Sequence, residues 1–253
     1  MDDERARRSL VFGSVAATYA EHRPGYPPEA VAWALQPLVA PAPDLLDLAA
    51  GTGKLTKALV DVPYATVTAV EPDPAMLAEL RDRFPRVRAV EGTAEAIPLP
   101  DASVDAVLAG TAWHWFDPEP AVAEIARVLR PGGVLTNLWN GDDTDVEWVH
   151  GFHEAAARGR PVGFKPPAPG ADVFPPHPAF TAAEQSEFRH GLPTTVDGLL
   201  ANLSTHSWAL ISEPADRDAA FDRIRAYLAT RPETSGGRFT LPLVTGAVRA
   251  LRR

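Results

Sequence analysis

The sequence predicts an α/β fold organised around a mainly parallel sheet. Short apolar stretches alternate with longer segments of helical period, the pattern expected of βαβ units. The first apolar stretch runs straight into a small-residue loop, placed where open α/β sheets bind ligands, at the carboxyl edge of their strands. Hydrophobic residues at 45% and charged residues at 23% are ordinary globular values, and 253 residues fit one large domain or a domain with a lobe.

Taken in order, strands are expected at residues 45–49, 65–70, 87–90, 104–109 and 134–139, with helices at 55–61, 74–83 and 119–129 between them. The last helix carries Val122, Ile125, Ala126 and Leu129 on one face. Pro131, Gly132 and Gly133 are expected to stop it and launch the next strand. Asn and Asp after Trp139 mark a boundary, so the chain divides into a core at 1–140 and a C-terminal part at 141–253. In that second part helices are expected at 145–158, 196–204 and 215–229, with strand-like pieces at 185–190 and 238–244. Of 26 prolines many fall between 161 and 180, a run that cannot form a regular element and reads as an ordered surface connection.

Composition also excludes chemistry. With 24 basic and 33 acidic residues the formal charge is −9, which argues against nucleic acid as a partner. There is no cysteine, hence no disulfide, thiolate zinc site or cysteine nucleophile. The first residues hold acidic side chains and no apolar signal core, and no run approaches the roughly 18 apolar residues of a membrane span, so a cytoplasmic protein is expected.

The loop is Ala50-Gly51-Thr52-Gly53-Lys54. A phosphate-binding P-loop needs four residues between its glycines and Ser or Thr after the lysine, where this chain has Leu55. A dinucleotide fingerprint would need a third glycine where Thr56 stands. Yet the second strand leads to Glu71, 20 residues beyond Gly51, a spacing suited to an acid that accepts hydrogen bonds from two ribose hydroxyls.

From about residue 18 to 139 the chain resembles the class I S-adenosylmethionine-dependent methyltransferases. The resemblance rests on DLAAGTG at 47–53, EPDPAML at 71–77, EGTAEAIPLPDASVDAVLAG at 91–110, TAWHWF at 111–116 and EIARVLRPGG at 124–133, in that order. YAEHRPGYP at 19–27 together with AWHWFD at 112–117 is similar to the small-molecule branch of trans-aconitate methyltransferase-like proteins. The resemblance implies a Rossmann-like, doubly wound, mainly parallel seven-stranded sheet with helices on both faces and an inserted helical lid. It implies S-adenosyl-L-methionine as cofactor, S-adenosyl-L-homocysteine as product and a small-molecule acceptor; charge and composition add the expectation of no nucleic-acid and no membrane partner, and the oligomeric state is left open.

It also implies roles for matching positions. Asp47, Ala49, Gly51 and Gly53 would lie beside the methionine part of the cofactor, and Glu71, with Pro72 and Met76 in the same stretch, at the ribose side. Thr93, Ala94 and Glu95 would border the adenine. Thr93 stands where the family has Asp, and its hydroxyl can still accept a hydrogen bond. Ala49 replaces the first glycine of the loop, a mild change if the strand conformation simply continues. Thr111 and Ala112 would end the fourth strand near the sulfonium, and Tyr19 and Arg23 would close over the cofactor.

Methyl transfer from a sulfonium is an in-line displacement that depends on positioning and exclusion of water. A base is needed only for a protonated nucleophile, and His114 is the candidate, as base or as substrate-orienting group. Trp113, Trp115, Trp139 and Trp148 are candidates for an apolar acceptor pocket. His150, His153, His206, Ser204 and Ser207 belong to the later, substrate-facing part; His150 and His153 share a helix face, but no carboxylate motif or metal-ligand spacing accompanies them, so no metal is expected. An acidic acceptor would need a cationic clamp instead, for which Arg23, Lys165 and Arg238 are available. Two other readings remain open, a catalytically silent cofactor-binding protein on the same fold and an NAD-dependent oxidoreductase, which Thr56 and residues 91–110 count against.

Overall fold

A computed structural model describes residues 16–157 and 174–253. Lys165 and the proline run as far as residue 173 lie outside the described residues, as does the start of the N-terminal segment.

The chain opens with α1 (Ala16–His22) and α2 (Pro28–Leu35), followed by β1 (Asp44–Leu48), α3 (Lys54–Val60), β2 (Thr66–Glu71), α4 (Pro74–Arg83) and β3 (Arg88–Glu91). Then come β4 (Val104–Gly110), a 3-10 turn at Trp113–Trp115, α5 (Pro118–Val128) and β5 (Leu129–Asp142). The remainder is α6 (Glu147–Ala157), β6 (Glu184–Thr195), α7 (Val196–Ser204), α8 (Ser207–Ile211), α9 (Pro214–Leu228) and β7 (Arg238–Leu251). The seven strands form one sheet in the order β3-β2-β1-β4-β5-β7-β6. β1 pairs in parallel with β2 and β4, β3 with β2, and β5 with β4, whereas β7 runs antiparallel to both neighbours. This is the expected mainly parallel, doubly wound sheet.

Central strands need apolar residues on both faces, because helices cover both. Leu45, Leu46 and Leu48 of β1 and Ala106 to Ala109 of β4 are buried accordingly. The edge strand β6 alternates instead and tolerates Pro193 and Gly191. Pro28, Pro74 and Pro118 stand at the first turns of α2, α4 and α5, where the missing N–H is no loss. Asp73 caps α4 by accepting from the Ala75 and Met76 amides at 2.8 and 3.0 Å.

Three expectations need correcting. Pro131-Gly132-Gly133 does not launch β5, which already starts at Leu129. The three residues form an excursion within it, Val104 pairing with Leu129 and Ala106 with Val134, while Gly132 takes φ 79°. β6 and β7 are also longer than the strand-like pieces 185–190 and 238–244, because each supplies the other's hydrogen-bond partners from Glu184↔Arg249 to Thr195↔Arg238. The short α8 has no counterpart among the expected helices.

The ends of β1, β2, β4, β5 and β6 and the start of β7 share one edge of the sheet, as their directions require. α6 follows β5 at that edge, and α7, α8 and α9 connect β6 to β7 there. These helices have their own core, built from Trp148, Phe152, Leu199, Leu203, Ile224 and Leu241 among others, separate from the core beneath the sheet. They are the inserted helical layer over the carboxyl edge.

Candidate functional site

The loop after β1 is made by backbone that side chains ordinarily avoid. Ala49, Gly51 and Gly53 have φ of 55°, 57° and 86°. The strand conformation therefore does not continue through Ala49, contrary to expectation. Ala49 occupies left-handed backbone at a steric cost that glycine would not carry. A Cβ on Gly53 would stand 2.6 Å from the Phe84 ring, so that glycine is required by space as well as by φ.

Beneath the loop, Asp47 is fully buried at 0% exposure. One carboxylate oxygen accepts the Thr56 hydroxyl at 2.5 Å, and the other, Oδ1, is buried without a hydrogen-bond partner. Burial pushes its carboxyl up to about 7, against the hydrogen bonds from Thr56. Thr56, which breaks the dinucleotide fingerprint, thus orients the acid of this loop. Glu71, at the end of β2, accepts the Gly51 amide and the Asp73 amide, each at 2.8 Å. Its carboxyl is likewise raised to about 7, first by burial. Glu71 therefore already ties the loop to the turn after β2, and each oxygen keeps a second lone pair for a ligand hydroxyl.

At the end of β4, Thr111 also has positive φ, 54°, a rare state for a β-branched residue and a place where strain is held by its surroundings. Its Oγ1 bonds the Tyr26 hydroxyl at 2.8 Å and its amide donates to Leu138 O at 2.6 Å. Tyr26 was not among the sequence candidates. Burial pushes its phenol up, and Asp47, Tyr19 and Arg23 all act on it electrostatically. Gly110 is small because the Tyr26 hydroxyl would stand 2.7 Å from a Cβ there.

Arg23 follows α1 and reaches the helical layer, Nε donating to Thr205 Oγ1 at 2.8 Å and Nη2 to Thr205 O at 3.1 Å. Its guanidinium lies 5.1 Å from the Tyr19 ring centroid. Burial lowers its pKa, opposed by Tyr19, Tyr26 and Asp142. Arg23 is thus a tie between α1 and the end of α7. Lys54, at the start of α3, is lowered to about 8 by burial and then by Arg83, Arg23 and Lys57.

The other candidates are dispersed. Met76 is buried with its sulfur 3.5 Å from where a Gly51 Cβ would be, and Pro72 is half-buried beside it in sequence. Thr93 is exposed, Ala94 and Ala112 are in the main core, and Glu95 accepts the Asp117 amide at 2.8 Å. Trp113, 4% exposed, packs edge-on against Phe116 and Phe174, and Trp148, 6% exposed, against Phe239. In this structure both are core side chains, Trp113 held in part by Phe174 and Trp148 by Phe239. Trp115 and Trp139 are partly buried on the main core. His114 is exposed, its ring 4.7 Å from that of Trp115. Arg238 is exposed at the start of β7.

One constellation escaped the sequence reading. His153 on α6 bonds through Nε2 to Asp142, the last residue of β5, at 2.8 Å. Their separation of 11 residues has no motif, since the pair forms only because α6 folds back onto the strand end.

Comparison with known proteins places this geometry in context. A family model described as a methyltransferase domain matches residues 46–136. An uncharacterized methyltransferase of Mycobacterium tuberculosis is 42% identical over 252 residues, 99% of both chains. One from Schizosaccharomyces pombe is 37% identical over 191 residues, covering 74% of this chain and 75% of that protein. Among solved structures, a candidate type II methyltransferase from Anaeromyxobacter dehalogenans matches with a TM-score of 0.64 at 27% identity, over 91% of this chain and 97% of that one.

Proposed function

The chain belongs to the methyltransferase family, and from that premise we propose that it moves the methyl group of S-adenosyl-L-methionine onto a small-molecule acceptor, with S-adenosyl-L-homocysteine as product. The observation that carries this reading is the fully buried Asp47 with its partnerless Oδ1 beneath a left-handed glycine loop. A buried carboxylate with one oxygen left unpartnered is costly unless a cation or donor completes it, and the cofactor carries both an ammonium and a sulfonium.

The residues fit that group. Asp47, Ala49, Gly51 and Gly53 would hold its amino-acid end, Glu71 with Pro72 and Met76 its ribose side, and Thr93, Ala94 and Glu95 the wall around the adenine. Thr111, Ala112 and Tyr19 would border the reacting end. When bound, the cofactor supplies a methyl group activated by positive sulfur. The chain's own contribution is to orient the acceptor behind that methyl and keep water out, for which the helices over the sheet edge are suited. Trp115 and Trp139 would form the apolar wall, with His114 orienting the acceptor. The charge of −9 supports a small acceptor over nucleic acid.

Calorimetric titration with S-adenosylhomocysteine and with NAD tests the cofactor. Binding of S-adenosylhomocysteine is expected, and binding of NAD alone overturns the reading. Turnover is then sought over a panel of carboxylic acids, phenols and quinones. Tight cofactor binding with no turnover across that panel would assign a silent cofactor-binding protein instead.

A further inference from the structure

Resting on the reading of the site as one for S-adenosylmethionine, we infer that Asp142 and His153 form the base of the reaction, and that the acceptor atom is the oxygen of a weakly acidic hydroxyl, a phenol or an enol. Asp142 ends β5 at the edge of the sheet where the glycine loop, Glu71 and Thr111 also end their strands, and α6, which carries His153, is the first element of the helical layer over that edge. The pair is also coupled electrostatically toward the loop: Asp142 raises the pKa of Arg23, and Arg23 lowers that of Tyr26. Tyr26 in turn bonds Thr111 at the end of β4 at 2.8 Å.

The geometry is that of a carboxylate orienting an imidazole. His153 Nε2 and Asp142 Oδ2 are 2.8 Å apart. With Nε2 donating to the carboxylate, Nδ1 is the nitrogen that can accept a proton, and the imidazolium formed is stabilised by the charge beside it. The two side chains differ in exposure as their tasks require. Asp142 is 14% exposed and His153 43%, so the acid is fixed while the ring can pass its proton to water. In the step, the acceptor O–H proton goes to Nδ1 as the oxygen forms its bond to the methyl carbon. The carbon–sulfur bond breaks with its electron pair remaining on sulfur, which becomes a neutral thioether. Carboxylic acids, already ionised at neutral pH, would have no use for this pair.

The charged partner of His153 is Asp142 from β5, which is coupled electrostatically to Arg23 in the segment after α1, while His150 and Glu154 on the same helix pair with one another at 3.6 Å. The test compares wild type, His153→Gln, Asp142→Asn, Asp142→Glu and His114→Gln in kcat/KM against pH, with phenol, 4-nitrophenol and benzoate as acceptors and S-adenosylhomocysteine affinity measured in parallel. His153→Gln should cost roughly 10²-fold or more with phenol, less with the more acidic 4-nitrophenol, and the deficit should shrink as pH rises and the acceptor ionises unaided. Asp142→Asn should follow it and Asp142→Glu recover part of the rate, with cofactor affinity unchanged in each. A pH-independent deficit, no deficit, the same pH signature in His114→Gln instead, turnover of benzoate alone, or no phenol turnover by wild type overturns the proposal. Failure of S-adenosylhomocysteine to bind wild type is a different outcome, and removes the cofactor reading beneath it.

Discussion

Ala49 and Gly53 hold similar backbone on either side of the same loop, at φ 55° and 86°, but at opposite cost. Left-handed backbone costs an L-residue with a Cβ about 1–2 kcal/mol, part of which alanine recovers through the smaller entropy of its unfolded chain. Ala49→Gly should therefore stabilise the protein by up to about 1 kcal/mol, a rise of roughly 2–4 °C in thermal midpoint, with cofactor affinity retained. Gly53→Ala should do the reverse by more, since the new Cβ would also meet the Phe84 ring at 2.6 Å. Parallel thermal melts of the two variants check both, and equal midpoints would show that the loop does not hold this backbone. The sequence shows Ala49 at a glycine position, but its left-handed φ belongs to a loop tied to Glu71 through the Gly51 amide, a contact across 20 residues that composition does not reveal. Tyr26 was missed for a related reason. Its bond to Thr111 spans 85 residues, and nothing local distinguishes that tyrosine from a core ring.

Helices and strands were legible where one face is buried by periodicity. α4 and α7 fall where the pattern put them, and the central strands lie within a residue or two, β5 excepted. What escaped depends on partners far along the chain: the length of the β6–β7 pair, the excursion in β5, and the burial of Trp148 against Phe239. The junction between α1 and the helical layer is another such feature, and it is testable. Arg23 makes two hydrogen bonds to Thr205, itself fully buried and bonded through its hydroxyl to Asn202 O at 2.7 Å. Hydrogen bonds from a charged donor contribute about 1.5–3 kcal/mol, comparable to a local opening free energy and smaller than whole-chain stability. Arg23→Met should thus loosen α1, α7 and α8 while leaving the sheet intact. Hydrogen exchange is expected to quicken at those three elements and stay slow in β1 and β4. Uniform acceleration across the sheet would mean that Arg23 supports the whole fold rather than this closure.

For the whole molecule, Asp47 and Glu71 couple folding, pH and ligand. Burial raises both carboxyls to about 7 in the folded chain, whereas in the unfolded chain they titrate near 4. Between about pH 4 and 7 the folded state therefore binds more protons than the unfolded one, and this pair's contribution to stability falls as pH rises through that window, then levels above it. Other carboxylates oppose the trend, Glu124 beside Arg127 being held below the ordinary range, so the pair is isolated by difference. Asp47→Asn should flatten the wild-type decline between pH 5 and 7 in denaturant titrations. A bound cation reverses the preference, because it favours ionised Asp47. Wild-type affinity for S-adenosylmethionine should accordingly strengthen as pH rises toward 7, with protons released on binding, and level off above that. Calorimetry in two buffers of different ionisation enthalpy counts those protons directly. Proton uptake, or an affinity independent of pH from 5 to 8, would place the cofactor's positive charge away from Asp47 and remove that residue from the site.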